Sequence, residues 1–154
     1  MAEWVVTLVT AGIVTLAIVL HYEIIAGLNR WVHKSGSFAS LGRPRRRTLL
    51  VVMFALLAAH VTEIWLFALG YFILDRAGDH GRIIGYDSFT FLDFVYFSAA
   101  TYTTVGWGEL AAVGPMRFLA GTEALTGFML ITWSASFTYL IMARTWGVDD
   151  EESL

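Results

Sequence analysis

The chain has no cysteine, only two prolines and few charges, and each scarcity closes off a class of protein. Without cysteine there is no disulfide scaffold, no thiolate metal site and no cysteine nucleophile. Two prolines beside fourteen glycines argue against a linker-rich or disordered chain. Charged residues are 15% of the 154 positions and hydrophobic ones 57%, with a mean hydropathy of +0.65. A water-soluble globule of this size needs more polar residues than that to cover its outside, so the solvent of this chain is lipid. The net charge of −3 says little as a total, because its distribution along the chain is uneven.

Three apolar runs, residues 4–20, 49–74 and 118–142, read as spans of a bilayer core, which takes ~20 residues of helix. The first is seventeen residues without a charge, and its helical pattern continues through Ile24, Ile25 and Leu28 toward Trp31. A cleaved signal peptide is the alternative reading, opposed by Glu3 in place of a basic start and by the lack of a small-residue cleavage site. Six of the ten basic residues, Arg30, Lys34, Arg43, Arg45, Arg46 and Arg47, lie between the first two runs. The positive-inside rule makes that loop cytoplasmic, which puts the N-terminus and residues 75–87 outside. Arg144 and the acidic tail Asp149, Asp150, Glu151, Glu152 then fall inside. A voltage sensor or a lipid-headgroup site is the rival reading of the cluster. The cluster does not repeat at every third position of a helix, so a solvated loop is preferred.

A fourth apolar segment, residues 89–101, is too short. At ~1.5 Å per residue it reaches about 20 Å, well under the ~30 Å of hydrocarbon, so it must enter and return. Ser88 or Thr90 offers an N-cap and Asp93 stands near the positive dipole end. The non-helical backbone that follows is tolerable at membrane depth only if protein buries it or it lines a water-filled cavity. Its residues are Thr103-Thr104-Val105-Gly106-Trp107-Gly108-Glu109. This string resembles the selectivity filter of the tetrameric potassium-channel superfamily, usually T-V-G-Y-G followed by an acid.

The resemblance covers residues 49 to about 142 and implies an outer helix, a pore helix, a filter and an inner helix, with the first span as an addition. In such a filter, carbonyls of four copies replace the water shell of a potassium ion, so successive carbonyls must point one way. Left-handed backbone at Gly106 and Gly108 permits this. Val105 and Trp107 then point outward as packing wedges, and Thr104 adds its hydroxyl as the innermost ligand. Thr103 faces the cavity, and Glu109 stands at the outer mouth. Trp107 replaces the usual tyrosine and Phe97 stands where a hydrogen-bonding aromatic commonly braces it, so the brace must differ. The filter-side acid of the family falls on Ala100. On the inner helix, Thr132 and Ser136 share a face with Tyr139 nearby and are read as cavity-lining; the plainer alternative is bonding to their own helix carbonyls. Gly127 is a hinge or a close-packing position.

Ionisable residues at bilayer depth are functional candidates by default. His60 and Glu63 share a face, and Glu123 comes to a matching depth on the inner helix; together they read as a polar bracket, with Glu123 paired to His60 behind the pore helix. A metal site is the sharper alternative. His21 and Glu23 read as an interfacial group near the cytoplasmic end of the first span.

The expected plan is an all-α membrane protein with three spans and a re-entrant pore loop per subunit. Residues 1–32 form the extra helix and 33–47 the basic cytoplasmic loop; 48–144 form the pore domain, and 145–154 the acidic tail. Within the pore domain the outer helix is 48–74, the outer loop 75–87, the pore helix 88–102, the filter 103–109 and the inner helix 115–144. The implied function is a potassium-selective channel, a homotetramer in a cell membrane of the bacterial inner-membrane kind, and not an enzyme. Potassium is the permeant ion, held by Thr104, Val105, Gly106 and Trp107. Lipid is the other partner, with no organic cofactor, nucleic acid or small-molecule substrate expected. The rivals are a weakly selective cation channel of the same plan, an intramembrane metal-binding enzyme or transporter using His60, Glu63 and Glu123, and a subunit without conductance.

Overall fold

The computed structural model describes residues 1–34 and 46–146, the last three by backbone alone. Arg43 and Arg45 of the basic loop, and all of the tail from residue 147, lie outside the described residues. The elements run α1 (Ala2–Lys34), α2 (Arg46–Arg76), β1 (Arg82–Ile84), α3 (Phe91–Tyr102), β2 (Ala111–Val113) and α4 (Met116–Trp146). Three helical stretches, Ala2–Lys34, Arg46–Arg76 and Met116–Ala143, are long and apolar enough to cross a membrane. The architecture is therefore the expected all-α membrane fold. In lipid every backbone polar group must be paired within the segment, and helices do that. Their hydroxyl side chains follow the same rule by turning back on the helix: Thr10 Oγ1 donates to the Val6 carbonyl at 2.7 Å and Thr126 Oγ1 to that of Thr122 at 2.8 Å.

Two compact units divide the chain. The first holds residues 1–19 and 61–130, the second residues 20–60 and 131–154. The core of the first is built on α2, α3 and α4 by Phe67, Tyr71, Leu74, Phe94, Phe97, Tyr102, Leu119 and Leu130, with Val6 and Ala17 of α1. Its aromatic rings meet edge to face: Tyr71 and Phe97 have centroids 5.0 Å apart, and Phe72 meets Phe91 and Phe94 at 5.4 and 5.7 Å. The core of the second unit is Ile25, Val32, Val52, Leu56 and Ile141.

Within the first unit, α3 begins where a cap is available. The Asp93 carboxylate accepts from both the amide and the hydroxyl of Thr90, each at 2.7 Å. Those bonds, the hydroxyl's first, hold the Asp93 carboxyl below its usual range. The short helix is framed by something the sequence reading lacked. β1 and β2 pair antiparallel in the register Arg82–Val113, Ile83–Ala112 and Ile84–Ala111, joining the chain before α3 to the chain before α4. Gly85 ends β1 at φ +137°, where an added Cβ would lie 2.1 Å from the Glu109 carbonyl oxygen.

Candidate functional site

The segment after α3 has an alternating backbone. Thr104, Gly106 and Gly108 have φ of +59°, +54° and +84°, while Val105 and Trp107 between them do not enter the left-handed region. In an extended strand successive carbonyls face opposite sides. Reversing the handedness at every second residue brings them toward one side. Gly106 and Gly108 adopt the conformation anticipated for them. Thr104 is the addition, and among the described residues it is the only non-glycine with positive φ. A β-branched residue in that region is strained, and such strain gathers at functional sites.

The start of this segment hangs from the last carbonyls of α3. The amides of Thr103, Thr104 and Gly106 donate to the carbonyls of Ala99, Thr101 and Ala100 at 3.1, 2.9 and 3.1 Å. The Thr103 hydroxyl also donates to Ala99, at 2.7 Å. Residues 103–109 are all exposed in the single chain, Trp107 at 68%.

Glu109 anchors the outer end. It accepts hydrogen bonds from Tyr86 at 3.2 Å and from Tyr96 of α3 at 3.4 Å. Partial desolvation, and then the carboxylate beside it, push the Tyr86 phenol above its usual range. The α3 aromatic that bonds this segment is thus Tyr96, one position before Phe97, and it bonds Glu109. Phe97 is instead buried against Tyr71. Tyr96 stands beside Phe97 as the other aromatic in the middle of α3, but only the Glu109 geometry selects it.

Behind α3 lie two buried carboxylates. Glu63 and Glu123 are both 0% exposed. Glu123 Oε2 accepts from the Tyr71 hydroxyl, and Oε1 pairs with the Ser98 hydroxyl, each at 2.5 Å. The single Ser98 hydroxyl proton is shared between this carboxylate and the Ile64 carbonyl at 2.8 Å. Glu63 accepts from the Tyr102 hydroxyl. Glu123 therefore does sit against α3, but the pairing with His60 is a correction: its two oxygens are held by Tyr71 and Ser98. Hydroxyls on neighbouring helices supply what a buried carboxylate needs, and the histidine is not required for it. Ser98 and Tyr102, four residues apart on α3, were the sequence signal for this arrangement.

The second unit holds its own polar group. His21 is 0% exposed rather than interfacial. The Ser134 hydroxyl lies 3.1 Å from His21 Nε2 and 3.0 Å from His60 Nε2, and so bridges rings whose centroids are 5.2 Å apart. The reason is its neighbours: the ring faces Ser134 of α4 and His60 of α2, which bury it where a snorkelling side chain would be exposed. Thr132 and Ser136 lie on an exposed face of α4 in this unit, with the Ser136 hydroxyl turned to the Thr132 carbonyl at 2.9 Å. Gly127, in the first unit, is a close-packing position: an added Cβ would lie 2.2 Å from the Tyr102 carbonyl oxygen.

Compared with known proteins, residues 49–143 match a family model described as an ion channel. No curated protein and no solved structure matches the chain.

Proposed function

The chain belongs to this ion-channel family, and from that premise we propose that it is a potassium-selective channel working as a homotetramer. The observation that carries the selectivity is the alternation of left-handed backbone at Thr104, Gly106 and Gly108, within a T-V-G-W-G string suspended from a short helix. Four copies of such a segment around one axis form rings of carbonyl oxygens that replace the shell of a dehydrated cation. The exposure of residues 103–109 supports assembly, since a filter backbone in one chain offers only a quarter of each ring. Val105 and Trp107 are then the side chains that neighbouring copies cover. Thr104 supplies the innermost ring. The membrane is a cell membrane, with the N-terminus outside and the basic loop in the cytoplasm.

Reversal potentials of the purified protein in planar bilayers test this reading. Potassium and rubidium should carry current and sodium very little. Equal sodium and potassium currents would leave a cation channel of the same family and remove the claim of selectivity.

A further inference from the structure

We propose that Glu63 and Glu123 are positioning residues for the filter, acting as a two-point clamp on one buried face of α3 through Tyr102 and Ser98. The inference rests on the potassium-channel reading and assigns the side chains that set the filter's register.

The contacts are all within the first unit. Ser98 and Tyr102 are one helical turn apart and both 0% exposed, so they form a polar pair on an otherwise apolar face. Two helices grip this pair. α4 holds the upper point, Glu123 to Ser98, and α2 the lower, Glu63 to Tyr102. α2 also reaches the upper point twice, through the Tyr71 hydroxyl on Glu123 and the Ile64 carbonyl on Ser98. The clamp therefore links the outer, pore and inner helices in a closed chain of hydrogen bonds.

Apolar packing is non-directional and lets a short helix slide or rotate at little cost, whereas hydrogen bonds are directional and fix both. In a dry interior a carboxylate that loses its donor is expensive, so the clamped setting has no near-equal neighbour. The lower point is the last residue of α3. Any rotation there passes to Thr103 through the chain, and to Thr104 and Gly106 through their bonds to Thr101 and Ala100. Tyr102 is held on two further sides, by the edge of Phe67 with centroids 6.4 Å apart and by the missing side chain at Gly127.

Tyr102→Phe removes one hydroxyl and keeps the ring packing. It should assemble as the wild type does, while its potassium-to-sodium permeability ratio and unitary potassium conductance fall, by about tenfold if one directed hydrogen bond holds the setting. Glu63→Gln in the otherwise wild-type chain, which still offers an acceptor to the Tyr102 phenol, should keep most of both. If Tyr102→Phe does not assemble, the double variant Tyr102→Phe, Glu63→Leu removes both partners of the lower point and carries the same expectation. A variant with lower thermal stability but wild-type permeability ratio and unitary conductance would overturn the clamp as a positioning device. Unselective wild-type currents would overturn the potassium reading instead, and the clamp would then stand or fall on unitary conductance alone.

Discussion

At Gly106 the backbone sits at φ +54°, and nothing lies within 4 Å of where a Cβ would be. A substitution there meets no neighbour in the chain; it meets only the backbone angle, which costs an L-residue roughly 1–2 kcal/mol. Gly106→Ala is therefore expected to abolish unitary currents while the oligomer keeps its mass, and a conducting Gly106→Ala channel would show that the angle is not needed. Thr104 bears the same kind of strain without the relief of being glycine, and no propensity argument could have found it in advance. Asp93 gives a pH-dependent expectation. Its carboxyl is lowered in the folded protein by Thr90, so its contribution is present above the ordinary aspartate range and is lost as pH falls through the lowered value. The difference in melting temperature between wild type and Asp93→Asn should be full at neutral pH and close in strong acid; a difference that persists there would mean that the carboxylate is not its source.

The helices were legible because, in lipid, the length of an apolar run decides almost everything about it. Residues 89–101 announced their re-entrant nature by being short, and Thr90 with Asp93 marked where α3 starts. The ladder was not legible. Three-residue strands have no period to read, and Arg82–Ile84 is spelled like any outer loop. Partners were harder still. Helical periodicity told which side of α4 carries Glu123, but not which of several hydroxyls would face it, and Tyr71 and Ser98 were missed for that reason. At Gly127 the sequence allowed a hinge or a contact, and the Tyr102 carbonyl decides for contact. Gly127→Ala should push α3 and α4 apart and destabilise the protein by about 1–3 kcal/mol, as overpacking does. A thermal melt of the purified protein, unchanged from wild type, would refute that.

For the molecule as a whole, orientation is the simplest proposition to check. The chain has no cysteine, so a single one introduced at Ser37 or at Gly78 reports its own side of the membrane. A membrane-impermeant thiol reagent should reach Ser37→Cys only from the cytoplasm and Gly78→Cys only from outside. Labelling of both from one side would remove a span from the count. The β1–β2 ladder has a consequence of a different kind. By pairing Arg82–Ile84 with Ala111–Val113 it ties residues 85–110, α3 and the left-handed segment together, into a ring closed at its base. The chain between α2 and β1 lies outside that ring and is pinned to it at Gly81, where an added Cβ would lie 2.3 Å from the Val113 carbonyl oxygen. Doubling its length costs about 0.6 kcal/mol in loop entropy and leaves the ring unchanged. Residues 85–110 are thus a cassette hemmed along one edge, and the turn ahead of Gly81 can lengthen without moving the paired strands.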